Sequence, residues 1–522
     1  MSHHAVLVAA GILLSRITGL VRDRVFAHYF GNSDAADAFR AAFRIPNFLQ
    51  NLLGEGVLSA SFIPVYAQLR AQKKDDEADR VASALFWLLS LALSSLVVVG
   101  VLAAPWLCDT IAPGFQGEKR ALTISLVRIL FPGAAFLSLS AWCLGILNSH
   151  RRFFISYVAP VAWNVVMIAT LLGFGGSSGQ FPLAEALAWG SVAGSALQFA
   201  IQLPYVWRLL GNFRVHLGLA MQSVRTVMRS FFPVFISRGV VQVSAYVDAL
   251  LASLLPGGSL AALVYAQTLY TLPVSLFGMS VSAAELPALS CALGENDPGN
   301  AALRKRIDAG LRQIAFFVVP SAMAFLALGD VIAGAIYQTG QFTHNDSLYV
   351  WAILAGAAIG LLASTLGRLY SSAFYALKDT AAPLRFAVMR VFCTALFGYL
   401  GALVLPPLLN IPLRWGVVGL SASAGLCGWL EFVLLRATLN KRIGKTGLPA
   451  SFVGKLWAAA AAGAAAGWVG KFLLETGHPI KLALLSLGLY GVVYLGIATI
   501  LQVPEARGLM SKAGRLGGRI FP

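Results

Sequence analysis

Apolar stretches of roughly 18 residues or more recur along the whole chain, each long enough to cross the hydrocarbon core of a bilayer as a helix. The chain has 522 residues, 58% of them hydrophobic and 12% charged, with mean hydropathy +0.75. A water-soluble domain of this size is excluded. Hydropathy predicts an all-α polytopic membrane protein with about fourteen transmembrane helices, near residues 4–30, 34–68, 81–107, 121–149, 154–174, 183–210, 229–255, 259–292, 307–330, 346–376, 383–405, 413–438, 451–474 and 480–503. Met1–His4 carries no Lys or Arg, and no small-residue cleavage site follows a short apolar core, so the first helix is expected to remain in the mature protein.

The net charge is +17. In a soluble protein that would suggest nucleic acid, but here most basic residues fall in short connections between spans. With a cytoplasmic N-terminus, the cytoplasmic connections and tail hold about 24 Lys and Arg and the outer ones about five. That bias predicts both termini in the cytoplasm and no nucleic-acid partner. The five cysteines, Cys108, Cys143, Cys291, Cys393 and Cys427, are scattered without metal-ligand spacing and read as packing residues.

A faint internal repeat is visible. The second span reads IPNFLQNLLGEGVLSASFIPVYA from Ile45 and the eighth LPVSLFGMSVSAAELPALS from Leu272. Each has a proline near its start and another near its end, with small residues between. TIAPGF from Thr110 and YQTGQF from Tyr337 sit in corresponding connections. Related elements are six spans apart, an even number, so the halves share one orientation. The expected organisation is an N-terminal six-helix bundle (1–216), a basic, amphipathic cytoplasmic linker (217–228), and a second six-helix bundle (229–445). A C-terminal segment (446–522) adds two helices and a basic tail. The bundles are related by a parallel pseudo-two-fold axis.

Charges inside the first two spans point to function. The first carries Arg16, Arg22, Asp23 and Arg24. The second carries Asp37, Arg40, Arg44, Asn47, Asn51 and Glu55, a helical period that makes one polar stripe. A charge at bilayer centre costs about 3 kcal/mol, so several on adjacent helices imply a shared polar cavity, with an anionic cargo because arginine dominates. Arginine stays charged when buried and donates paired hydrogen bonds to phosphate oxygens. Asp23 and Asp37 are expected to hold the guanidiniums. A static ion-pair network is the competing reading. Arg238, Gln242 and Asp248 on the seventh span, Glu285 on the eighth and Arg368 on the tenth join the candidates. Asn148 and Asn164 read first as helix-to-helix hydrogen-bonding residues.

No HExxH, GxSxG or Walker A sequence is present, so no enzyme activity is expected. No cofactor or metal is expected either. Energy would come from a coupling ion, the membrane potential or the cargo's own gradient.

The stretch SRITGLVRDRVFAHYFGNSDAADAFRAAFRIPNFLQNLLGEGVLSASFIPVYAQL, Ser15 to Leu69, closely resembles the MurJ (MviN) family of lipid II flippases. APGF from Ala112, LNSHRRF from Leu147, GQFT from Gly340 and FYALKDTAAP from Phe374 agree with it. The family belongs to an exporter superfamily that includes multidrug antiporters and polysaccharide-lipid flippases. The resemblance implies two six-helix bundles around a cationic cavity, two further helices forming a lipid groove, and alternating access. It implies a cargo of lipid II, with membrane lipids and cell-wall synthesis proteins as partners, in the bacterial inner membrane. Matching family positions are Arg16, Arg22, Asp23, Asp37, Asn47, Glu55 and Asn164. Two positions depart. Gln50 stands where some members have Arg, and Thr268 where many have another Arg, for which Arg238 or Arg368 is expected to compensate. A flippase of another polyprenyl-linked glycan, a drug/ion antiporter and a non-transporting scaffold of the cell-wall machinery are the rival expectations.

Overall fold

The computed structural model describes residues 3–53, 57–58, 61–211, 213–282, 285, 289, 301–473 and 478–509, with the side chains of 3–10, 12 and 232–245 left aside. Among these the chain is helical, its one β-bridge joining Thr339 and Phe342. It packs into two compact units, one of residues 1–261 and 339–342, the other of 262–338 and 343–522.

The first unit contains α1 (His3–Phe30), α2 (Asp34–Leu53), α3 (Ile63–Ala71), α4 (Asp75–Leu102), α5 (Ala104–Ile111), α6 (Gly117–Ser149), α7 (Phe153–Phe174), α8 (Gln180–Leu209) and α9 (Gln222–Ser253). Its central helix is α6, which packs on α2 and α8, while α1 lies along α7. Close approach of α7 and α8 depends on small residues: a Cβ on Gly194 would fall 2.9 Å from the Trp163 ring. The basic segment from Phe213 to Gly218 has no regular secondary structure, and helix resumes at Gln222 and continues to Ser253.

The last turn of α1 would leave carbonyls bare. Two glutamines serve them instead. The Gln341 backbone N–H donates to the His28 carbonyl at 2.8 Å, and the Gln180 side chain donates to the carbonyls of Tyr29 and Phe30 at 3.1 and 3.3 Å. Gly31 makes the close approach feasible: its φ is +55°, and a Cβ there would lie 2.6 Å from the Gln341 carbonyl.

The second unit contains α10 (Ser259–Pro273, continued by a π-helical stretch Val274–Met279), α11 (Ala301–Tyr337), α12 (His344–Ala358), α13 (Leu361–Ala376), α14 (Ala381–Tyr399), α15 (Gly416–Ile443), α16 (Ala450–Leu473) and α17 (Pro479–Ile500). The first residues of α10, through Ala261, count with the first unit. Helix α11 has two weak points. Pro320 has no N–H to give the Phe316 carbonyl, and the backbone leaves helical geometry at Leu328 (φ −127°, ψ 17°). Neighbours supply the missing donors. Tyr494 donates to the Phe316 carbonyl at 2.7 Å and Tyr490 to the Pro320 carbonyl at 2.6 Å. Before the break, the Trp351 indole donates to the carbonyls of Phe325 and Leu326, both at 3.1 Å, and the Trp468 indole to that of Ala327 at 2.7 Å. Lys471 pairs with buried Asp330 just beyond it. The appended helices α16 and α17 are therefore bonded to α11 at both defects.

Among the described residues ten helices are long and apolar enough to cross a membrane, or eleven if α12 and α13, bent by 44°, form one broken span. Fourteen is not reached by that measure. Three predicted spans outside the set are the ones carrying the charge clusters, and they run as α1, α2 with α3, and α9. The chain is a multi-pass membrane protein.

Candidate functional site

The charged residues of α1 and α2 converge within the first unit. Asp23 is buried and sits between two guanidiniums: Arg22 Nη2 at 3.0 Å and Arg40 Nη2 at 3.3 Å, both reaching its Oδ1. Arg22 is held on further sides. Its Nη1 donates to Asn164 Oδ1 at 3.1 Å, and its guanidinium carbon lies 4.9 Å from the centre of the Trp163 ring. The Trp163 indole in turn donates to the Ser191 carbonyl and hydroxyl at 3.1 and 3.2 Å, which fixes the ring against α8. Asn164 also donates to Thr18 Oγ1 at 3.3 Å, one turn from Arg22 on the same face of α1. Arg40 lies over the Phe26 ring at 4.3 Å. These cation–π contacts and the shared carboxylate orient two positive groups whose mutual repulsion would otherwise separate them.

One turn further along α2 is half-buried Arg44. The Asp248 carboxylate of α9 acts on it electrostatically, and Tyr246 donates to its backbone carbonyl at 3.1 Å. Arg22, Asp23, Arg40 and Arg44 of α1 and α2, with Asn164 of α7 and Asp248 of α9, thus form a polar band with three arginines and two carboxylates.

Asp37 stands apart from this band. It is buried and accepts from Lys119 Nζ at 2.7 Å, from the Gly258 N–H at 2.8 Å and from the Ala261 N–H at 2.7 Å. The expectation that it holds a cavity arginine is not what its hydrogen bonds do. They fasten the start of α2 to α6 and to the first residues of α10. Lys119 also reaches Asp34 at 2.8 Å.

Arg16 is exposed on α1, Arg24 is half-buried, and Asn47 is exposed beside a crevice lined by Pro46, Gln50 and Ser195. Glu55 lies outside the described residues, as does the side chain of Arg238. Thr268 donates to its own helix, to the Val264 carbonyl at 2.9 Å. Sequence reasoning left Trp163, Thr18 and Lys119 out of the site. Trp163 adjoins Asn164 and signals nothing by itself, and Lys119 stands in the first turn of α6, 82 residues from Asp37.

Comparison with known proteins places the family and the fold. The family described as lipid II flippase MurJ matches residues 26–488. The lipid II flippase MurJ of Burkholderia cenocepacia is 32% identical over 445 residues, covering 84% of each chain. A probable lipid II flippase MurJ of Rhizobium tropici is 32% identical over 445 residues, 83% of this chain and 80% of that one. In fold, the chain resembles a solved structure of lipid II flippase MurJ in an inward closed conformation. The TM-score is 0.78 at 24% identity, over 97% of this chain and 100% of that one. It also resembles an inward-facing multidrug resistance MATE family transporter of the MOP superfamily, with TM-score 0.66 at 16% identity over 84% and 98% of the two chains.

Proposed function

The chain belongs to the MurJ family of lipid II flippases, and on that premise we propose that it carries lipid II from the inner to the outer leaflet of the bacterial inner membrane, with both termini in the cytoplasm. The observation that carries the reading is the pair of guanidiniums, Arg22 and Arg40, held on the single carboxylate of Asp23. Arg22 carries more donors than the two it gives to Asp23 and Asn164, and the pyrophosphate of a polyprenyl-linked glycan is the anion that suits a guanidinium held in this way. Arg16, Arg24, Arg44, Asn47, Glu55, Arg238 and Asp248 extend the proposed binding surface. On the same reading the bundles 1–216 and 229–445, joined by 217–228, alternate the access of the site. The two helices of 446–522 accompany the polyprenyl tail. The protein acts as a carrier with no chemical step.

Electrostatics supply a cycle. Cargo charge neutralises the arginines, which favours the closed, loaded carrier. The membrane potential, worth about 2.3 kcal/mol per charge per 100 mV, then returns the net-positive empty carrier toward the negative interior. Membrane lipids surround the tail, and cell-wall synthesis proteins are the expected recipients of the cargo.

The test is transport of lipid II in reconstituted vesicles, read by its accessibility to an impermeant reagent, for the wild type and for Arg22→Ala. Loss of transport in a variant that keeps its thermal midpoint is expected. Full transport by Arg22→Ala would overturn the assigned site. Transport of a different polyprenyl-linked glycan in place of lipid II would move the cargo within the class. Turnover that ignores an imposed potential would remove the resetting step.

A further inference from the structure

A second set of charges lies in the other unit, on α13, α14 and α15. Arg390 of α14 donates from Nη1 to Glu431 Oε2 of α15 at 2.9 Å, with the glutamate side chain 15% exposed. Arg368 of α13 is within electrostatic reach of Arg390, Tyr270 and Glu431. It is exposed and makes no hydrogen bond or ion pair among the described residues. Two guanidiniums therefore stand near one carboxylate, and that carboxylate is already bound to Arg390.

The surface of α13 shows what Arg368 faces. Its outward stripe is Ser364, Arg368, Ser371 and Tyr375, spaced 4, 3 and 4 residues, while Leu362, Leu366 and Leu369 are buried. A lipid-facing stripe would be apolar, so this polar one suits a hydrated surface. Tyr270 of α10 closes on it, its hydroxyl 2.7 Å from Ser364 Oγ. On α14, Thr394 lies one turn from Arg390 on the same face, and its hydroxyl is buried. The depths agree. Arg368 precedes the end of α13 at Ala376 by about 12 Å, and Arg390 follows the start of α14 at Ala381 by about 14 Å, at 1.5 Å per residue.

We propose that the second unit carries its own membrane-embedded anion site, formed by Arg368 and Arg390 with the Tyr270 hydroxyl, and that it takes a phosphate group. An unpaired guanidinium at this depth is costly unless a ligand or water meets it. Beside a second guanidinium and a hydroxyl, a tetrahedral oxyanion is the ligand that uses all three donors. The phosphate is either borne on a lipid or free in solution. The site does not depend on the cargo being lipid II.

The experiment uses the full-length protein purified in detergent, in an Arg22→Gln background that weakens the first unit's proposed phosphate site, and each second-unit variant is read against that parent. Native mass spectrometry reads binding of dioleoylphosphatidic acid against dioleoylglycerol, and calorimetry reads binding of inorganic phosphate. Arg368→Gln is expected to weaken the phosphate-bearing ligand about tenfold or more and to leave dioleoylglycerol unchanged, while Arg368→Lys retains most of the binding. Loss of inorganic phosphate binding in Arg368→Gln assigns the free anion. Binding of phosphatidic acid alone assigns a lipid-borne phosphate. Equal binding by Arg368→Gln and its parent, or no phosphate binding by the parent, overturns the proposal. If Arg368→Gln fails to fold, the charge-balanced pair Arg390→Gln with Glu431→Gln is read in the same way.

Discussion

The hydroxyl of Tyr494 donates to the carbonyl of Phe316, the one carbonyl of α11 that Pro320 cannot serve. A proline in the middle of a membrane helix is thus complemented by a side chain from another helix, 178 residues beyond Phe316 in sequence. In a bilayer core no water is at hand to do this.

Tyr494→Phe should leave that carbonyl bare and lower stability by about 1–3 kcal/mol, read as a fall in thermal midpoint in detergent. Pro320→Ala restores the N–H, so the tyrosine loss should be markedly smaller in the Pro320→Ala background. Equal losses in both backgrounds would show that Tyr494 acts by packing alone.

Asp23→Asn should set Arg22 and Arg40 against each other without their shared carboxylate. Removing one partner from a buried pair costs about 3–5 kcal/mol. Asp23→Asn should therefore fall in thermal stability and in lipid II binding together. Adding Arg40→Gln should recover stability in part, because one of the two stranded cations is then gone.

Asp37→Asn should behave differently. Its carboxylate anchors Lys119 and two backbone N–H groups, so the loss should be of folding. Lipid II binding per folded molecule should stay near the wild-type value. Lys119→Met combined with Asp37→Asn should be less damaging than the two single changes added together. A selective loss of lipid II binding at an unchanged midpoint would instead return Asp37 to the binding site.

His150 follows the end of α6, and the Tyr66 hydroxyl lies 2.9 Å from its Nε2. Burial, aided by the charge of Arg70, holds its pKa below the ordinary histidine value of 6.5. The folded protein thus binds fewer protons at this site than the unfolded chain. Stability should be full above pH 6.5 and fall as the pH drops through it, levelling off below the depressed folded value. The thermal midpoint of the wild type should fall between pH 7.5 and 5.5, and that of His150→Gln should fall less.

Hydropathy located the long helices because a span must be apolar on most of its surface. The stripe Asp37, Arg40, Arg44 and Asn47 was legible because helical spacing puts those residues on one face. What the spacing could not say was which residue each charge meets. Asp37 and Arg40 sit one turn apart, yet one turns to Lys119 and the other to Asp23, a choice made by the packing of α2 on α6 and α1. Arg390 and Glu431 escaped notice for the same reason: 41 residues separate them, and no local pattern links them. The break at Leu328 was equally hidden. Gly329 follows it, but one glycine in a membrane helix does not mark a break, and the tryptophans that answer the freed carbonyls stand on other helices.

The glutamine-capped end of α1 gives that helix a pivot. From Phe30 back to Arg22 the chain is fastened by Gln341, Gln180 and Asn164, whereas Gly19 has open space around it. A bend at Gly19 would therefore leave Arg22 and Asp23 in place and move Arg16, at the cost of the Asn164–Thr18 hydrogen bond and of the packing of Gly11 on Tyr157. Of the arginines on α1, one keeps station while another can travel, and the distance between them becomes a coordinate on which the bend can be read.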